Sequence, residues 1–412
     1  MSASETRLVH PQRVRPFEKT QAATPTLVRL LVGRDLSPTR DEYDRVCTAL
    51  WDGDAAMDAL MDWMYQYGPG EARGLFMKAL EEGVGSIPDC PEPLRVFFKT
   101  YDSPPVWMNQ QLLDEGCRFI HGTGTTATIV LRDLALMAGY LLSGFNQSLV
   151  MTGALNKSTS RRVAETGKWW MDCTETGGLH RFGQGFKSTM HVRLVHALVR
   201  RGLAARPEWD SAKWGLPLNQ IDMVATYLGF SVVMLGGLKK MGVPVTPRES
   251  KAVMHLWSYA CWLMGVDEKW LVKTESEGAV LLNHTFMTQS RPDWTTRELA
   301  QALAKEPLER GYSSFQSVRR KLAYHQHLSV TQYFMGDEKM AQLGLPENVT
   351  SWYPLLTTPP RFINYTTRRL LPGLRAAQVK RGREAQHAAL ASMFGDTEHA
   401  VIKPGKDHPA HI

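Results

Sequence analysis

The sequence predicts an all-α protein built as a single large helical domain. Three observations carry that expectation. Apolar residues recur at three- and four-residue steps through nearly all of residues 25–370, the period of helices with one buried face. Alternating runs of Val, Ile and Thr, the pattern of half-buried strands, are almost absent. No linker-like stretch interrupts residues 25–370, so they read as one domain. Residues 1–24 read as a flexible N-terminal arm. Residues 371–412 read as a basic and polar C-terminal segment, frayed from Arg375 onward.

Each helix follows from its punctuation. Asp41–Trp51, Ala55–Tyr67 and Glu71–Glu82 are helical patterns separated by Gly and Pro. Pro91–Tyr101 carries Pro early, where a helix tolerates it. Val106–Ile120 follows, then the long apolar run 125–144. Ser148–Met171 has a Ser- and Thr-rich break in its middle and resumes as a helix through Arg162 to Trp170. Asp172–Phe186, with Gly177, Gly178, Gly183 and Gly185, reads as a surface or pocket-edge loop. It lacks the residue order of a phosphate-binding loop, and no strand precedes it. Lys187–Gly202 is a helix with Val192, Val195, Leu198 and Val199 on its apolar side. A Trp- and Pro-rich loop at 204–217 leads into helices at Asn219–Met241 and Pro247–Met264. Thr295-x-x-Glu298 reads as a capping box.

Composition narrows the function classes. Of 412 residues, 43% are apolar and 22% charged, the balance of a chain with a real core. The net charge of +7 is dispersed in short clusters, without the basic stripe and interleaved aromatics of a nucleic-acid binder. Five cysteines without C-x-x-C spacing support neither a zinc ribbon nor covalent haem attachment, and read as thiols in a reducing compartment. The N-terminus lacks an apolar core of signal-peptide length, so a cytoplasmic location is expected. The run 125–144 carries Arg132 and Asp133 in its middle, which suits a buried helix better than a membrane span.

The candidate chemistry starts at His196, which lies on the apolar side of its helix between Val192 and Val199. Arg193 and Arg200 are its neighbours along the helix, three before and four after it. A buried imidazole beside cations suits a ligand for a metal or haem iron, with Arg193 near enough to meet an anionic group of a cofactor. The ordinary alternative is a core histidine with routine partners. H-E-x-x-H, paired E-x-x-H and G-x-S-x-G patterns are absent apart from Glu384-x-x-His387 in the basic tail, taken as chance. A second polar group, Arg162, Glu165 and Thr166, clusters at helical spacing upstream. It is either a solvated face or a catalytic cluster.

The order Arg162-x-x-x-Thr166, then V-R-L-V-H-A-L-V-R around His196, then W-G-L-P-L-N-Q at 214–220 and Asp222, resembles the latex clearing protein (rubber oxygenase) family. That family also includes the oxygenase that shortens a farnesyl chain in mycophenolic acid assembly. The resemblance covers roughly residues 90–350. It implies a globin-like helical core holding a non-covalent haem b. It also implies His196 as the proximal iron ligand and Arg162 and Thr166 on the distal side. The reaction it implies is cleavage by O2 of a carbon–carbon double bond in an apolar isoprenoid, polymeric or smaller. Two positions depart from the rubber-cleaving members. Glu165 stands where they carry a lysine, and Asn146 where they carry a glutamate proposed as base. Glu165 is then expected to serve as the base. The expected pocket walls are the helices at 125–144 and 219–241. A haem- or lipid-binding helical protein without oxygenase turnover is the alternative, and a cofactor-free interaction protein a third reading.

Overall fold

The computed structural model describes residues 10–153 and 159–394, and among them there are helices and connections but no strand. Seventeen helices of more than one turn make up the fold. The first five are α1 (Thr26–Val32), α2 (Arg40–Thr48), α3 (Ala55–Tyr67), α4 (Pro69–Glu82) and α5 (Glu92–Tyr101). Next come α6 (Gln110–Gly122), α7 (Thr125–Gly139), α8 (Ser143–Met151), α9 (Thr159–Thr174) and α10 (Gln184–Ala204). They are followed by α11 (Gln220–Lys240), α12 (Pro247–Leu263), α13 (Glu275–Met287) and α14 (Trp294–Lys305). The chain closes with α15 (Gln316–Gln342), α16 (Trp352–Leu370) and α17 (Pro372–Phe394).

α10 and α12 lie at the centre. α10 packs on α3, α9 and α12, while α6 runs along α12. Gly116 makes the α6–α12 approach possible, because a Cβ there would stand 2.7 Å from the Ala252 carbonyl oxygen. Trp169 of α9, Phe230 of α11 and Trp257 of α12 meet ring to ring at 4.9–5.7 Å, and the Trp169 indole donates to Thr189 of α10 at 3.0 Å. Four helices are thus joined through one aromatic knot.

Several sequence expectations are corrected here. The run 125–144 is not one helix. α7 ends at Gly139 and α8 leaves at 98° to it. The corner is held by Asn146, whose Nδ2 donates to the Tyr140 carbonyl at 2.8 Å. α14 is capped by Asp293, paired with Thr296, rather than by Thr295 and Glu298. The tail expected to fray is instead α17, packed on α6 and α9 as far as Phe394. Buried Gln386 fastens it by donating to the Ile120 and Gly124 carbonyls. The arm is not loose along its whole length either. Arg13 is buried and bonded to Asp222 of α11 at 2.6 Å, with further bonds to Gln289 and to the Trp214 and Thr288 carbonyls. Residues 1–9 and 395–412, and most of the polar break before α9, lie outside the described residues.

α11 is long and apolar enough to cross a membrane, and 61% of its most apolar window is buried inside the bundle. Both α7 and α11 contain a π-helical stretch, at Leu131–Leu136 and Gly229–Val233, and the two stretches pack together. Such stretches widen a helix and cluster at functional sites.

The fold depends on charge as well as apolar area. Replacing Arg193 by Ala would leave Asp54 buried without its cation, at a cost of about 3–5 kcal/mol. Thermal denaturation of Arg193→Ala is expected to show a loss of that size. A melting temperature within a degree or two of wild type would contradict it.

Candidate active site

The site is organised by α10, and α10 is fixed by arginines. Arg193 donates to both oxygens of Asp54 at 2.6 and 2.7 Å, to the Tyr101 hydroxyl at 2.7 Å and to the Leu263 carbonyl. One turn pair later, Arg200 grips Asp58 at 2.6–3.0 Å and donates to the Leu218 carbonyl. Arg201 pairs with Asp62. The three aspartates follow each other at four-residue steps from the N-cap of α3 onward, so α3 and α10 are laced in one register and one rotation. Arg193 was expected to meet an anionic cofactor group. Its three guanidinium nitrogens are already committed to protein oxygens, so it is a structural cation that orients α10.

His196 lies between those two arginines. Burial first, and the Arg200 charge second, push its pKa down to about 4, so the ring is neutral at physiological pH. Its Nδ1 is sealed within protein and has no hydrogen-bond partner among the described residues. The residue nevertheless keeps some accessible surface, as do Val192, Val195 and Val199 on the same arc of α10, while Leu194 and Ala197 opposite are fully buried. Similar half-buried stripes run along α7 (Leu131, Leu134, Ala135) and α11 (Ala225, Gly229, Val233). Helices in the middle of a bundle do not normally leave apolar surface uncovered. On α10, His196 lies within this half-buried apolar stripe.

The upstream cluster sits on α9. A glycine loop sets the register between α9 and α10: a Cβ on Gly178 would stand 2.1 Å from the Asp172 carbonyl oxygen, and one on Gly185 2.5 Å from it. Arg162 is half-buried and reaches the Tyr140 hydroxyl of the α7–α8 corner at 3.5 Å, while Thr166 is exposed. Glu165 accepts from Arg161 at 3.2 Å. Asn146 is fully buried, and its amide also donates to Thr295 at 3.2 Å, leaving Oδ1 sealed without a donor among the described residues. Arg162 and Tyr140 therefore connect α9 to the helix corner that Asn146 builds, whereas Glu165 points its charge to a surface arginine.

Two groupings were not assembled by sequence reasoning. W-G-L-P-L-N-Q with Asp222 is a structural knot. Asn219 caps α11, Gln220 donates to the Gly53 and Gly265 carbonyls, and Asp222 takes the arm's Arg13. The second is a buried ionic chain at the π-stretch of α7. Arg132 binds Glu306 at 3.0 Å, and Asp133 Oδ2 lies 2.6 Å from His327 Nδ1 of α15. Burial would raise the Glu306 carboxyl, but Arg132 and Arg310 overcome it and hold it at about 2. Burial and Arg132 together lower His327 to about 4. The signal was Arg132-Asp133 inside an apolar run. Its partners lie more than 170 residues away in sequence.

The site is thus an all-helical bundle with a neutral histidine, its Nδ1 unpartnered among the described residues, on the central helix. Residues 123–372 match the family described as "ER-bound oxygenase mpaB/B'/Rubber oxygenase, catalytic domain". The rubber oxygenase of Streptomyces sp. (strain K30) is 24% identical over 240 residues, 55% of this chain and 55% of that protein. The chain thus matches about half the length of that curated relative. The solved structure of latex clearing protein in its closed state superposes at a TM-score of 0.60, covering 85% of this chain and 92% of that one at 18% identity, so the helical fold is shared. The chain belongs to the mpaB/rubber oxygenase catalytic-domain family.

The buried histidines give stability a defined pH dependence. His327 is neutral in the folded protein, whereas the unfolded chain takes up its proton near pH 6.5. Between pH 6.5 and 4 the unfolded state therefore binds more protons, and stability falls on acidification by up to about 1.4 kcal/mol per pH unit for each such group. Urea unfolding is expected to show this slope, and His327→Gln is expected to flatten it. An unchanged slope in the variant would contradict the assignment.

Proposed function

We propose that this chain is a haem-b-dependent oxygenase that cleaves a carbon–carbon double bond of an apolar isoprenoid with O2. The observation that carries the reading is His196: a neutral imidazole on the central helix, with a sealed, unpartnered Nδ1 and half-buried valines beside it, in a chain of this oxygenase family. The residues fit the group. A neutral imidazole can give its lone pair to iron, and the adjoining valines supply the apolar contact a porphyrin face needs. When bound, the haem would supply the redox chemistry by which one O2 converts one alkene into two carbonyl groups.

The chain's own residues have separate tasks in this reading. His196 holds the cofactor. Arg162, half-buried and reaching the Tyr140 hydroxyl, would donate hydrogen bonds to a polar group bound at this end of α9, and the exposed Thr166 one turn further along would add a hydroxyl. The apolar stripes of α7 and α11 exclude water and accept the alkene. Glu165, paired with Arg161, is the carboxylate closest in sequence to these donors and takes the base role.

A specific observation favours a second reading, a haem- or lipid-binding protein without turnover. Glu165 is engaged by a surface arginine, and the Asn146 amide is used to build a helix corner. Neither position then offers a free base.

Absorption spectra of the purified protein, oxidised and reduced, test the first part. A Soret band is expected in wild type and its loss in His196→Ala. A wild type that stays colourless after haem supplementation would remove the proposal. Incubation of the haem-loaded protein with a short isoprenoid and O2 should then yield paired carbonyl products. Haem binding without products would favour the second reading. For Glu165→Gln, turnover is expected to fall by roughly tenfold to a hundredfold or more at normal haem content, the usual range for removing a general base. Full activity in that variant would reassign the base.

A further inference from the structure

α16 turns its apolar side outward. Its exposed residues Leu355, Leu356, Pro359, Pro360, Ile363, Thr366, Thr367 and Leu370 recur at helical spacing and form one face. None carries a charge. Leu356, Ile363 and Leu370 are 69, 64 and 76% exposed, with Phe362 beside them, and the apolar surface continues through Leu371 and Leu374 into α17. The half-buried side of the same helix carries Arg361, Arg368 and Arg369. A surface helix normally shows the opposite arrangement, polar outward and apolar inward.

This stretch of chain is basic, although Glu249 of α12 pairs with Arg369 and Arg375, and Glu175, just past α9, with Arg383. From Ser351 to Arg383 the chain contains seven Arg or Lys residues and no Asp or Glu. Lys380 and Arg381 on α17 are exposed. Among the described residues, a second exposed apolar helix, α1, is linked to α16 only through a relay of contacts across α11 and α13. Arg361 of α16 donates to the Met241 carbonyl just past α11, whose Lys239 pairs with Glu275. Ser276, the next residue, donates to the Leu31 carbonyl of α1. α1 exposes Leu27, Leu30 and Leu31, again beside an arginine, Arg29.

We infer that α16, with the start of α17, is a docking surface for an anionic lipid bilayer. The leucines, Ile363 and Phe362 enter the headgroup–acyl boundary, and the basic rim meets lipid phosphates. A neutral apolar protein partner would not need the basic rim, and an acidic protein partner would not need so wide an uncharged face. The inference does not depend on haem or on turnover, because its test reads partition alone.

The test is flotation of the full chain with vesicles of equal parts phosphatidylcholine and phosphatidylglycerol, against vesicles of phosphatidylcholine alone. Wild type is expected to float with the anionic vesicles and to lose most of that binding in high salt. Leu356→Glu with Ile363→Glu is expected to reduce partition at least tenfold while circular dichroism and the thermal melt stay as in wild type. Lys380→Gln with Arg381→Gln, both exposed, should weaken binding to anionic vesicles only. Absence of flotation by wild type would overturn the inference, as would equal binding by the Glu double variant. A salt-independent dimer in solution that the Glu double variant dissociates, without vesicle binding, would assign the face to a second copy of the chain instead.

Discussion

The pair Arg193–Asp54 is the constraint on which the site depends. Asp54 caps α3 and at the same time receives two bonds from α10, so a helix start and a helix rotation are set by one carboxylate. Tyr101 from α5 and the Leu263 carbonyl at the end of α12 complete the shell around the guanidinium. Three other helices therefore agree on the rotation of α10. Rotation matters here because His196 is only three residues from Arg193. A helix turned by one residue would carry the imidazole through about 100° and change what it faces. A buried charge is an expensive way to hold a helix, but it is a directional one. Apolar packing would tolerate a slip that a bidentate arginine does not.

The same logic explains why the recognisable motifs are recognisable. W-G-L-P-L-N-Q and Asp222 touch the arm, the turn before α3, α10 and the α12–α13 turn, with Asn219, Gln220 and Asp222 using their side chains and Trp214 and Leu218 their carbonyls. Such a knot restricts sequence most at those three side chains. Residues facing an apolar space need only be apolar and about the right size. A resemblance carried by the knot therefore reports the architecture around the site more directly than the chemistry inside it. This is consistent with a shared fold at 18% identity alongside changes at positions 146 and 165.

What was legible in the sequence was local. Ala55–Tyr67 has the same bounds in the structure, and helices at 219–241 and 247–264 are within a residue of theirs, because period and caps lie within the segment itself. What was not legible was long-range. Arg132 and Asp133 announced a buried polar site, but Glu306 and His327 could not be assigned to it from spacing. Arg13 looked like part of a loose arm until its partner 209 residues away was seen. Arg193 looked available to an anion because its aspartate lies 139 residues upstream. α17 looked like a tail because its fixing contacts are made by Gln386 to carbonyls over 260 residues earlier. For His196, sequence gave the helix and the apolar neighbours. The sealed Nδ1 and the depressed pKa required the packed structure.

The distribution of charge separates two kinds of surface on this molecule. Inside, arginines are matched one to one or better by carboxylates: Arg13 with Asp222, Arg193 with Asp54, Arg200 with Asp58, Arg132 with Asp133 and Glu306. Along α16 and the first part of α17 the matching is partial: Glu249 from α12 reaches Arg369 and Arg375, and Glu175 reaches Arg383, while Lys380 and Arg381 are exposed. A chain that neutralises its interior cations so completely has the acidic residues to neutralise this rim as well, with 41 Asp and Glu against 48 Lys and Arg overall. The exposed Lys380 and Arg381 lie on the helix that continues the uncharged, apolar face of α16, and that coincidence is what a purely solvated surface does not account for.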